Sequence, residues 1–172
     1  YGVDDTFFTA YVPLYCGISD VPPSFAAGGL NQFSWDSAWW VFNFVSNYAN
    51  LKYSQMIQDI QLVQAEIEGD FLDLQPAVEQ TAAALAATNP DLMRRYLTDY
   101  SVQNGESVTR KWRQLGEYLM TKYNDGYVKD DRGSPREKGY PESWLRAVLA
   151  QRPDQFRLPA DSPKKISEPE DY

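Results

Sequence analysis

Phe42-Asn43-Phe44-Val45-Ser46-Asn47-Tyr48-Ala49 opens the stretch that decides the fold. From Phe42 the apolar residues recur at Val45, Ala49, Tyr53, Met56, Ile60, Val63 and Ile67. Steps of three and four are the period of an α-helix. Trp39, Trp40, Val41 and Phe44 widen the stripe at its start. A helix that is apolar most of the way round is buried on most sides. The pattern therefore predicts one helix that enters a core or an interface at its N-terminal end and emerges amphipathic. Ser34 or Asp36 is placed to cap it, with Asp36 near the positive end of the helix dipole.

Downstream, Gly69 and Pro76 bracket an expected break, with Pro76 in the first turn of a second helix that runs through Ala82 to Ala87. Asn89-Pro90 repeats the cap-then-proline signal. A third helix follows, because Met93, Leu97, Tyr100, Val108, Trp112, Leu115, Leu119 and Tyr123 share one face. Asn104-Gly105 interrupts that face, as a close crossing or a local kink would require, and Asn124-Asp125-Gly126 ends the helix. Trp144, Leu145, Val148 and Leu149 predict one short helix after Pro141. Upstream, Thr6 to Tyr15 is rich in aromatic and β-branched residues and reads as a strand, with Pro13 marking an edge or its end. Val21-Pro22-Pro23 then predicts an extended segment and Gly28-Gly29 a loop. The expected fold class is mainly α: about three longer helices and one short one, with a short N-terminal β segment. The expected division is a β segment and loop over 1–30 and a helical domain over 31–126. A loop and short helix packing on that domain follow over 127–158, then a flexible tail over 159–172.

Composition limits the function. The 172 residues carry 16 Lys plus Arg against 24 Asp plus Glu, a formal charge of −8. An acidic chain is a poor partner for nucleic acid or for an anionic membrane surface. No apolar run approaches the roughly 20 residues of a membrane helix. The chain contains no histidine. Histidine-based acid–base chemistry, Ser-His-Asp triads and His-ligated zinc are thereby excluded from it. Charge is also uneven: residues 1–51 hold four Asp and no Lys or Arg, so any thiolate formed there lacks a cation nearby in sequence.

Few residues remain that carry chemistry. Cys16 is the sole cysteine. Without a histidine it reads more readily as a small buried hydrophobe at a strand end than as a nucleophile. Glu66, Glu68 and Asp70 cluster near a helix end, where Glu66 and Asp70, four apart, would share a face. They suit a cation or acid–base work, but equally a solvated face. Asp130 and Asp131, before Arg132-Gly133, read as a turn, since the spacing of a calcium loop is missing. Trp35, Trp39 and Trp40 serve either as core or, if exposed, as a surface for sugars or assembly. Gly28-Gly29 lacks the pattern of a phosphate loop. Neither a metal site nor a cofactor site is expected.

The order of segments adds a resemblance. Gly2-Val3-Asp4-Asp5-Thr6, Tyr11-Val12-Pro13-Leu14-Tyr15-Cys16-Gly17 and Val21-Pro22-Pro23-Ser24-Phe25 come first. Phe33-Ser34-Trp35-Asp36-Ser37-Ala38-Trp39-Trp40-Val41-Phe42 follows, then Leu97-Thr98-Asp99-Tyr100, Trp112-Arg113-Gln114-Leu115 and Lys122-Tyr123-Asn124-Asp125-Gly126. Together these resemble, over roughly residues 2–158, the C-terminal part of a bacterial dipeptidase of the cysteine-nucleophile dipeptidase A family. That family is related to secernin and belongs to the N-terminal-nucleophile hydrolases. The resemblance implies a parent αββα sandwich, of which 1–30 would be the end. It implies an N-terminal cysteine nucleophile whose own α-amine is the base. Tyr1 is not that cysteine, and Cys16, expected inside a strand with its amide bonded, is no substitute. The chain, which opens at Tyr1 without a Met, thus reads as a piece of something longer, structural and inactive alone. Its implied partners are the N-terminal catalytic part of the same polypeptide and, for the whole enzyme, a dipeptide substrate; nucleic acid and membrane are not among them, and a homo-oligomer is possible. The alternative is a non-enzymatic helical interaction module that uses the aromatic patch.

Overall fold

The computed structural model describes residues 1–137 and 140–156. The tail expected to be flexible, 159–172, lies outside the described residues. Five α-helices and one hairpin follow one another: α1 Pro23–Ala26, α2 Ala38–Ala49, α3 Tyr53–Thr88, α4 Pro90–Tyr123, β1 Tyr127–Lys129, β2 Pro135–Glu137 and α5 Glu142–Gln151. Short 3-10 turns occupy Asn50–Lys52, Asn124–Gly126 and Pro153–Phe156. The mainly α class is as the sequence predicts.

Helices α3 and α4 form a long hairpin joined by Asn89 alone. At 1.5 Å per residue each spans about 50 Å. Asn89 makes so short a connection possible. Its side chain accepts a hydrogen bond from the Leu92 amide at 3.1 Å, capping α4 just ahead of Pro90. Helix α2 lies across α4, which is thus the common partner of α1, α2 and α3. The main core gathers where they meet: Val41, Phe42, Val45, Met56, Ile60, Val108, Trp112, Leu115 and Leu119 are all buried. Phe42 stacks on Trp112 with centroids 5.1 Å apart. A smaller cluster of Val78, Ala82 and Leu97 holds the far end of the hairpin together.

Four expectations need correction. The stripe from Phe42 to Ile67 is two helices, because the 3-10 turn at Asn50–Lys52 lets the chain bend while both helices keep their apolar faces on α4. Gly69 and Pro76 do not break the chain, since α3 runs through both. Pro76 leaves the Leu72 carbonyl without its helical partner, but both residues are exposed and water can replace that bond. Neither Ser34 nor Asp36 caps α2: the cap position is Ser37, and its hydroxyl makes no capping bond. Val21-Pro22-Pro23 is not simply extended, for Pro23 opens the single turn of α1.

The N-terminal segment turns at Asp5–Phe8, where the Phe8 amide donates to the Asp5 carbonyl at 3.0 Å, and joins no sheet; the strands among the described residues are β1 and β2. A strand needs a ladder, and here helix side chains take the place of a neighbouring strand. Gln64 of α3 donates to the carbonyls of Phe7 and Thr9, at 3.1 and 2.7 Å. Glu68 accepts from the Tyr11 amide at 2.9 Å. Tyr1 and Val12 exchange two hydrogen bonds, both 2.8 Å, which is the pattern of one hydrogen-bonded antiparallel pair. Phe8, Thr9 and Ala10 are buried in succession, so the two-residue alternation of a strand is absent.

The interruption at Asn104-Gly105 is a close approach rather than a kink. α4 is continuous there, and Gly105 lies against Pro22. Asp125, at φ 53°, turns the chain out of α4 into the hairpin. The short helix after Pro141 is present as α5, with none of its residues buried.

Candidate functional site

Cys16 is exposed, not buried. It sits in a turn with Gly17, whose φ is +83°, and no strand hydrogen bond holds its amide. Neither a base nor a cation contacts the thiol among the described residues, and the chain has no histidine to bring there. The expectation of a buried Cys16 fails because Thr6 to Tyr15 is not a paired strand.

The acidic trio on α3 is not one site. Glu66 forms an ion pair with Lys111 of α4 at 3.1 Å. Glu68 turns to the other side and accepts from Tyr11. Asp70 lies in a small cleft that Lys111 also lines. Among the described residues no group of three or more His, Cys, Asp or Glu is placed to hold a metal ion. Asp130 makes the expected turn. Its carboxylate accepts from the amides of Arg132 and Ser134 at 2.9 and 3.0 Å, which closes the β1–β2 hairpin.

The tryptophans divide between core and surface. Trp35, Trp39 and Trp40 are each half-buried in an array of edge-on rings. Trp39 meets Trp40 at 4.7 Å, Phe33 meets Trp35 at 4.7 Å and Trp35 meets Phe44 at 5.3 Å. The Arg113 guanidinium caps Trp35 at 5.1 Å from its centroid. Gly28-Gly29 serves this array rather than a phosphate. The Gly29 carbonyl accepts from the Trp40 indole at 3.0 Å. Gly28 has φ +120°, and a Cβ there would stand 2.4 Å from the Ser37 hydroxyl. An apolar groove of about 350 Å³ opens beside the array, lined by Phe33, Trp40, Phe44, Asn47, Tyr48 and Leu51.

Two features escaped the sequence. The first is a groove of about 460 Å³ between the extended N-terminal segment and α3, walled by Tyr11, Tyr15, Phe71 and Tyr100, with Glu68 and Gln75 on its α3 side. Tyrosines so far apart in sequence give no local signal. The second is Asp59, which receives Lys122 at 3.0 Å on both carboxylate oxygens and the Tyr123 hydroxyl at 2.7 Å. Burial pushes the Tyr123 phenol up, and the hydrogen bond to Asp59 and its charge add to that, reaching about 12. Burial alone would lower Lys122, but hydrogen bonds to Tyr118 and Asp59 outweigh it and hold the ammonium above its ordinary value. The cluster ties the start of α3 to the end of α4. Asp59 sits beside the apolar Ile60 on α3, a hint visible only once the partner helix is known.

Against this geometry the comparisons can be set. Residues 1–66 match the model of Peptidase family C69. The matched segment is similar to that family over these residues. It covers the extended segment, α1, α2 and the start of α3, and so holds the whole aromatic array and Cys16. Leu97 to Tyr100, Trp112 to Leu115 and Lys122 to Gly126 lie beyond the matched residues. No curated protein and no solved structure matches the chain.

Proposed function

We propose that this chain is the helical C-terminal part of a cysteine-type dipeptidase whose nucleophile lies on a segment outside these residues. The C69 match over 1–66 carries the reading. The setting of Cys16 supports the second half of it. An exposed thiol with neither a base nor a cation beside it has no neighbour to activate it as a nucleophile. In the parent, attack by the N-terminal cysteine on the dipeptide carbonyl would give an acyl-enzyme that water then hydrolyses. The role left for this chain is structural. In its N-terminal segment the amides of Tyr11 and Tyr15 and the carbonyls of Phe7 and Thr9 bond to side chains of α3 and α4, which pins its path. Side chains that remain exposed there, such as Phe7 and Tyr11, are available to the rest of the enzyme.

The test compares the isolated chain with the protein as it occurs in its native cell. Intact-mass measurement of the captured native protein should find a larger species that begins with cysteine and hydrolyses dipeptides. The isolated chain should show no turnover. Turnover by the isolated chain, surviving Cys16→Ala or abolished by it, overturns the reading.

One observation favours a second reading, an interaction module without activity of its own. The groove beside Phe33, Trp40 and Phe44 offers aromatic rings to a partner, and Phe33 is 48% exposed. A native species of 19.7 kDa with no associated chain would put this reading first.

A further inference from the structure

We propose that the groove between the Tyr11–Tyr15 segment and α3 binds a small organic ammonium, held by the tyrosine faces and the Glu68 carboxylate. The groove measures about 460 Å³, within the range of small-ligand sites. Its walls are Tyr11, Tyr15, Phe71 and Tyr100. Tyr15 and Tyr100 meet at 6.1 Å and 59°, so that their planes form a corner rather than a closed stack. Aromatic faces carry negative charge and attract cations placed over them.

Glu68 is the one charged side chain that lines the groove; the Tyr1 ammonium lines it too. Glu68 uses one oxygen, Oε1, to accept from the Tyr11 amide, which fixes the carboxylate at the wall. Its other oxygen makes no hydrogen bond among the described residues. The Tyr1 amino nitrogen, at the rim, is turned to the Val12 carbonyl at 2.8 Å and forms no ion pair with Glu68. Burial first, and then the charge of Glu79, raise the Tyr15 phenol above its ordinary value, so a second carboxylate acts on this corner. An anion would meet the Glu68 carboxylate and the negative faces of the rings, against a single ammonium, that of Tyr1, already held by the Val12 carbonyl. A neutral apolar ligand would fill the groove but leave Glu68 without a partner. A cation on an apolar body satisfies both features. The inference does not depend on the peptidase reading, since it uses only the lining of the groove.

The probe is phenethylammonium, with 2-phenylethanol as its neutral counterpart of similar shape, titrated into the full 172-residue chain by two-dimensional amide NMR. The Tyr11 and Tyr15 amides should shift and saturate with the ammonium. The alcohol should bind about fivefold or more weakly, as a cation–aromatic contact plus one carboxylate implies. Glu68→Gln keeps an oxygen that can accept from the Tyr11 amide and removes only the charge. It should weaken the ammonium by a similar factor and leave the alcohol unchanged. Tyr100→Leu, at the half-buried corner, provides a second variant and should weaken the ammonium more than the alcohol. Equal affinity for the two probes, no saturation by the ammonium, or a Glu68→Gln variant with unchanged preference would overturn the proposal.

Discussion

Gly105 of α4 lies against the fully buried ring of Pro22: a Cβ at Gly105 would stand 2.3 Å from the proline Cγ. A proline ring cannot turn aside as a flexible side chain can. Gly105→Ala therefore sets a gain in helix propensity of about 1 kcal/mol against overpacking that costs about 1–3 kcal/mol. The contact wins, and the variant should be less stable in urea. Gly69 is the control, being inside α3 with nothing within 4 Å of its hypothetical Cβ. Gly69→Ala should stabilise the chain by up to about 1 kcal/mol. If both substitutions stabilise, the Pro22 contact is not close.

These two glycines also mark how far the sequence could be read. Each looks like an interruption in an apolar stripe, and only the partner differs. Asn89-Pro90 was legible because the cap and the proline act within one turn of chain. Pro76 was not, because nothing in Leu72-Asp73-Leu74-Gln75 before it tells a proline in a first turn from one inside a helix. The break at Asn50–Lys52 was hidden because α2 and α3 both face α4 and so keep one apolar rhythm across the turn. Thr6 to Tyr15 has the composition of a strand, but whether it pairs depends on a neighbour, and Gln64 and Glu68 fill that place. The tyrosine groove, which joins Tyr11 and Tyr15 to Tyr100, is a product of the hairpin and has no local signature.

Pro76 gives a prediction of the opposite sign to most. It sits inside a 36-residue helix, exposed, where it removes one backbone hydrogen bond. Pro76→Ala restores the donor and should stabilise the chain by about 1–3 kcal/mol in urea unfolding. Helix content by circular dichroism should stay the same or rise. A loss of stability would mean that α3 relies on a bend at this point.

Trp112 fills the centre of the core, fully buried and stacked on Phe42. Its indole N–H finds no acceptor among the described residues. Trp112→Ala leaves a cavity and should cost about 3–5 kcal/mol. Trp112→Phe loses volume as well, but removes a buried donor whose desolvation costs about 1–3 kcal/mol. The Phe variant should thus lose less than half as much as the Ala variant. Equal losses would mean that the indole N–H is well paired in solution.

The Asp59 cluster predicts a pH dependence at the alkaline end. The Tyr123 phenol is raised from 10.0 to about 12 in the folded chain by burial and by Asp59. A group whose folded value is raised binds its proton more tightly when folded. Its contribution to stability is present below pH 10 and is lost as pH climbs towards 12. Lys122, also raised, keeps its charge when folded while the unfolded chain's lysine loses it above pH 10.5, so it adds to the same fall. Stability in urea should fall between pH 10 and pH 12, and Tyr123 should be late among the 12 tyrosines to titrate by phenolate absorbance. Asp59→Asn removes the charge beside the phenol. It should lower stability at neutral pH, because Lys122 loses its partner in a half-buried site. It should also flatten the alkaline fall, because the Tyr123 value then moves back towards 10. Tyr123→Phe should flatten the fall while leaving the Lys122–Asp59 pair in place. If both variants keep the wild-type slope between pH 10 and pH 12, another tyrosine carries the linkage.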